Sequence, residues 1–249
     1  MTNNPWFQNV ASEFLALVIL LVLGLLVYYP GSRRPRLSFF GIRRTKRLVV
    51  YLSHLRVQRG GAIGVDGTPR SFGESAIPAY EAKLMPALQR LFNYVVPGME
   101  ELPGFLSRLL LSDVNVEILP SPLNASEIDG DFTFIAIGSP GYNLAATYVE
   151  NSLHSIGRFT NDMAAVTLPG VAPLSGDHYA FVQRAGNSKR TAFYVAGVTS
   201  RATTGAVRYL ATHWRDLHKK YPRGKAFCVM LLITSEDGSK YRIIYEQEQ

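Results

Sequence analysis

A chain of 249 residues, 47% hydrophobic and 11% aromatic, is long enough for one sizeable core plus an anchor and too apolar to be disordered. Its single cysteine, Cys228, excludes an intrachain disulfide and lies in the apolar run Ala226–Leu232, as a buried small hydrophobe would. The net charge of +7 invites nucleic acid, but seven of the 26 basic residues (Arg33, Arg34, Arg36, Arg43, Arg44, Lys46, Arg47) crowd one acid-free stretch, leaving 19 against 19 acids elsewhere. A body with no basic excess of its own argues against nucleic-acid binding.

Residues 1–13 read as a short segment outside the membrane. Phe14 to Tyr29 is an uncharged apolar run that reads as a transmembrane helix. The run alone spans about 24 Å against a bilayer core of about 30 Å, and Val10 to Glu13 supply the missing turn. Trp6 and Phe7 on one side, and Tyr28 and Tyr29 on the other, suit the two interfaces. A cleaved signal peptide would need a basic residue ahead of the run and small residues after it; this chain has neither Lys nor Arg before Arg33 and continues Tyr-Tyr-Pro. The basic cluster that follows predicts an inner-membrane, single-pass protein with its N-terminus outside and its C-terminal domain cytoplasmic. The same cluster can attract anionic inner-membrane lipid.

Residues 30–46, with Pro30, Gly31 and Pro35, read as a basic linker whose Phe39 and Phe40 pack on the membrane or on the domain. From residue 47 to 249 strands and helices alternate. Strands are expected at Leu48–Leu52, Val114–Leu119, Phe132–Ile137, Met163–Leu168, Tyr179–Arg184, Thr191–Ala196 and Phe227–Ile233. Helices are expected at about Ala79–Tyr94, Phe105–Leu111, from Asn143 to about Ser155, and at Thr203–Lys219. The strands at 179 and 191 form a hairpin, and a second hairpin closes the chain through Glu236-Asp237-Gly238. Apolar strands feeding helices predict a Rossmann-like, three-layer α/β domain with a mixed, mostly parallel sheet. Val207, Leu210, Trp214 and Leu217 form the core face of the last helix, while His213 and His218 are expected on its solvated side.

Ligands of open α/β sheets bind beyond the carboxyl ends of the strands, and three loops leave strands there. In Gly138-Ser139-Pro140-Gly141-Tyr142-Asn143, a strand-to-helix turn, the backbone N–H groups from Gly138 onward and the Ser139 hydroxyl suit a phosphate or sugar. Asn143 either orients the ligand or caps the helix. The long Gly-rich loop Arg59–Glu74, read as structureless, carries Asp66, Arg70 and Glu74, with Glu81 opening the helix behind it; Asp66 and Arg70 would close over a ligand. In Gly197–Gly205, Thr199 and Thr203 offer hydroxyls, with Thr203 as the expected N-cap. The sequence has no Gly-x-x-x-x-Gly-Lys-Ser/Thr loop, no Gly-x-Ser-x-Gly elbow and no metal-ligand spacing among its five histidines, so no metal and no cofactor is expected.

Where Val49-Val50-Tyr51-Leu52-Ser53 leads into a polar loop, and Ile137-Gly138-Ser139-Pro140 into a helix, the chain resembles TIR and nucleoside deoxyribosyltransferase-like domains, which bind or cleave nucleotide N-glycosides. In those families a helix-borne glutamate beside the carboxyl edge contacts the ribose and acts in glycosidic cleavage. The resemblance implies Glu81 for that role, with Glu74 second. The anchor, basic stem and Rossmann-like body together resemble uncharacterised bacterial membrane-anchored proteins. Two functions are therefore expected as alternatives: a tethered domain that binds, or processes, a nucleotide-like small molecule, or a non-enzymatic scaffold with a protein partner. No catalytic pair decides whether the chain is an enzyme.

Overall fold

The computed structural model describes residues 34–42, 47–53, 56–58, 61–63, 69–70, 84, 86–88, 91, 115–122, 124–128, 130, 132–186, 190–222 and 224–249. The proposed membrane helix, Phe14 to Tyr29, and the helix expected at Phe105–Leu111 lie outside these residues. Among the described residues no helix is long and apolar enough to cross a membrane.

The architecture is mixed α/β. Its centre is a seven-stranded sheet of β1 (Arg47–Leu52), β5 (Asn115–Pro120), β6 (Thr133–Ile137), β10 (Tyr179–Gly186), β11 (Thr191–Gly197), β12 (Phe227–Ile233) and β13 (Tyr241–Glu248). Across the sheet the order is β13-β12-β10-β11-β6-β1-β5. Strands β5, β1, β6 and β11 pair in parallel, and β10 and β13 run against the rest. Five of the seven strands thus end on one edge. The expected strand assignments and both hairpins match, except that residue 163 is a turn at φ 59° and the strand there is β8 (Ala165–Leu168).

Strand β12 shows why the pattern was readable. Phe227-Cys228-Val229-Met230-Leu231-Leu232-Ile233 is apolar throughout because a central strand is covered on both faces. Phe227, Val229, Leu231 and Ile233 enter one core, and Cys228 and Met230 the other. Burial pushes the Cys228 thiol up to about 12, so it stays protonated and unreactive.

The first core lies under helix α1 (Arg34–Phe39), helical positions Leu84, Ala87, Leu88 and Leu91, and helix α3 (Ser200–Lys220). Phe39 and Phe40, in the stretch expected to be a linker, are among its most buried residues, and Ile42 joins them. The Phe39 ring centroid is 5.0 Å from that of Phe193 and 6.2 Å from that of Phe227. Arg184, buried in β10, places its guanidinium 5.7 Å from the Phe39 ring and 5.1 Å from the Phe227 ring. It donates to the carbonyls of Lys225 (2.6 Å), Tyr221 (3.1 Å) and Pro222 (2.7 Å), so it caps the end of α3 while gripping α1. His213 and His218 are half-buried rather than solvated: His213 stacks on Tyr209 and bonds the Tyr241 hydroxyl, and the His218 ring meets Phe39.

The second core is covered by helix α2 (Leu144–Ser152), by Ile128 and Phe132, and by a small sheet of which the sequence led us to expect one strand, β8. That sheet is β7 (Arg158–Phe159), β8 and β9 (Val171–Ser175), which lay Phe159, Val166 and Leu168 on the central strands. The buried Gln183 amide ties its approach to β10: Oε1 accepts from Ile156 and Gly157 N–H, and Nε2 donates to Ser155 Oγ and the Gly157 carbonyl. The loop Arg59–Glu74, read as structureless, contains two short strands, β3 (Gly61–Ile63) and β4 (Pro69–Arg70), which pair antiparallel with each other, and β3 pairs antiparallel with β2 (Arg56–Gln58) just before the loop.

Candidate functional site at the carboxyl edge of the sheet

Chain order across the sheet locates the expected ligand crevice. From β1 the chain moves outward to β5, whereas from β6 it moves the other way to β11, so the crevice lies between the ends of β1 and β6. Asn143 occupies it. This fully buried side chain donates from Nδ2 to Tyr51 O on β1 and to Ile137 O on β6, both at 2.9 Å. Its Oδ1 accepts from Ala145 N–H at 3.0 Å, which makes it the N-cap of α2 as well. Both amide protons are spent, so none is left for a ligand.

The surroundings complete the closure. Ser53 Oγ, at the end of β1, donates to Ile137 O at 3.2 Å. Gly138 has φ 102°, and a Cβ there would fall 2.0 Å from Ser53 Oγ, so only glycine fits the turn. Ser121, buried after β5, accepts from Leu144 N–H at 2.8 Å. The N–H groups of Leu144 and Ala145, which an anion would use at a helix start, therefore already point at protein oxygens. Ser139 stays half-buried at the mouth, where its carbonyl accepts from Tyr142 and Asn143 N–H.

The third loop emerges beside the first, because β11 neighbours β6. Its cap is Thr199, not Thr203. The Thr199 hydroxyl accepts from Ala202 N–H at 3.2 Å and donates to Asp177 O at 2.8 Å, so α3 starts at Ser200. Thr203, one turn inside, is buried; its hydroxyl accepts from Gly197 N–H and donates to Thr199 O, both at 3.0 Å. At Gly197 a Cβ would meet Ala202 Cβ at 2.5 Å, which is why the turn needs glycine. Arg201 pairs with Glu236 at 2.8 Å. Of the long loop, Arg70 lies in β4 opposite Ala62. Asp66, Glu74 and Glu81 lie outside the described residues.

One titratable pair went unnoticed in the sequence. Glu150, near the end of α2, accepts at Oε1 from Phe159 N–H (3.1 Å) and from the hydroxyl of buried Tyr194 (2.9 Å). Burial raises its carboxyl to about 7, against the opposing pull of the Phe159 N–H, the Tyr194 hydroxyl and Arg158. Tyr194 is held well above its ordinary value, first by burial and then by Glu150. The carboxyl thus joins β7 to the back of β11 and titrates near neutrality.

The folded value exceeds the unfolded one, so between about 4.5 and 7 the folded state holds a proton that the unfolded state has lost. Stability should fall across that window as pH rises and level off above it, by on the order of 2 kcal/mol after allowance for partial exposure. Glu150→Gln keeps an acceptor oxygen, so its denaturation midpoint should stay flat from pH 5 to 8, roughly, and exceed that of the parent at the alkaline end. A parent chain with no slope in this window would show that Glu150 titrates normally.

No protein-family model, curated protein or solved structure matches the chain.

Proposed function

We propose that the chain is a membrane-tethered scaffold, a Rossmann-like body held on the cytoplasmic face of the inner membrane to bind another protein, without catalysis of its own. The observation that carries this reading is Asn143 in the crevice: where related architectures seat a ligand, this chain seats its own amide, bonded to both strands. The residues nominated to orient a nucleotide from the third loop, Thr199 and Thr203, likewise serve their own turn.

A route for a protein partner exists at the edges. Strand β13 carries a bulge opposite Met230/Leu231 and is dense in charge, a protected edge. Strand β5 has regular pairing to β1, exposes Ile118 and Leu119, and pairs with no other strand among the described residues. An extended partner segment can add there through main-chain hydrogen bonds. The nucleotide-binding alternative keeps Ser139 in its favour, half-buried at the crevice mouth.

Thermal-shift measurement of the full chain in nanodiscs against mono-, di- and trinucleotides separates the two. The scaffold reading expects an unchanged melting temperature throughout. A nucleotide that raises it, with the rise abolished by Ser139→Ala, would replace scaffold by ligand binding.

A further inference from the structure

The Glu150 carboxyl is placed so that hydrating its charge requires the small sheet to move. Both of its donors, Phe159 N–H from β7 and the Tyr194 hydroxyl from β11, converge on Oε1. Phe159 and Tyr194 are buried, so a carboxylate that swung out to solvent alone would leave an N–H and a hydroxyl without acceptors. Lifting β7 removes that obstacle, because water then reaches the carboxylate and both donors together. Among the described residues, the charged and titratable groups that act on Glu150 are Arg158 of β7 and Tyr194 of β11; its own helix and β10 contribute none.

The neighbouring strands would move with β7, since β7 pairs with β8 and β8 with β9. What they cover is well defined. Gly157, at the entrance to β7, stands directly over Cys228 of β12: its N–H points at the thiol, and a Cβ there would lie 3.2 Å from Sγ. Phe159 packs on Phe181 with ring centroids 5.8 Å apart, and Val166 and Leu168 lie on the same core. The N–H groups of Ile156 and Gly157 rest on the Gln183 amide, so lifting β7 breaks that tie as well.

We propose that Glu150 is a latch worked by pH: protonated, it holds β7–β9 down on the central sheet, and ionised, it releases them as a unit and opens Cys228 to solvent while the central sheet stays folded. Burial puts the carboxyl at about 7, so the closed form keeps its proton below that value. The open form, whose carboxylate is in water, gains on it as pH rises through the neutral range.

Cys228, the single cysteine, reports on the latch without any added probe site. The full chain is labelled with N-ethylmaleimide, and the rate is divided at each pH by that of the urea-unfolded chain, which cancels the pH dependence of the thiol itself. The ratio should rise at least about tenfold between about pH 5.5 and 8. It should barely respond to urea below the unfolding transition, because a local opening exposes little surface. Glu150→Gln cannot ionise and should hold the ratio near its acid value throughout. A ratio that is flat with pH in the parent chain, or that rises equally in Glu150→Gln, would overturn the latch. So would a urea dependence as steep as that of global unfolding, an arm that needs only the parent chain.

Discussion

Replacing Asn143 with alanine should destabilise the domain by about 3 kcal/mol, which lowers the melting temperature by roughly 6–12 °C in a body of this size. The change removes an N-cap and takes a donor from each of two carbonyls, Tyr51 O and Ile137 O, of which Ile137 O keeps the Ser53 hydroxyl. Asn143→Asp sharpens the test. Aspartate keeps the cap acceptor but turns a carboxylate toward those two carbonyls, so it should cost at least as much as alanine. In an ordinary N-cap the aspartate variant would be nearly silent. Urea denaturation of both variants decides: a loss under about 1 kcal/mol for either would mean that Asn143 does not hold the crevice shut.

Phe39→Ala should cost about 3–5 kcal/mol, the range for removing a fully buried aromatic side chain. The ring touches Phe40, Phe193, Trp214 and Phe227 and receives the Arg184 guanidinium, so the cavity would open beneath α1 and weaken the cap of α3 together. Leu37→Ala, two residues earlier and half-buried, should cost far less. Equal, small losses for both would show that the stem is a loose linker and that α1 does not belong to the body.

These two residues also mark where the sequence was readable and where it was not. The strands of the central sheet and helix α3 were legible because burial on both faces, or on one face at a period of 3.6, leaves a long apolar signal. Helix α1 was hidden: six residues that include Pro35 and Arg36 are too short for a period and look like a stem. In the small sheet β8 was legible, but its neighbours were hidden: β7 is two residues long, and β9 is exposed along most of its length and shows no alternation. At the site, the turn glycines and the cap at Asn143 were visible locally. Its second partner was not, because Tyr51 lies 92 positions away. Glu150 gave no local sign either; its raised carboxyl is created by Phe159 and Tyr194, which the fold delivers from two other elements.

The aromatic clasp around Phe39 sets an order of events during synthesis. Its partners Phe193, Trp214 and Phe227 are made some 150 to 190 positions after it, so the first packed element of the body must wait for nearly the last. Until β12 leaves the ribosome, Phe39 lacks its Phe227 partner, and contacts of such long range close slowly.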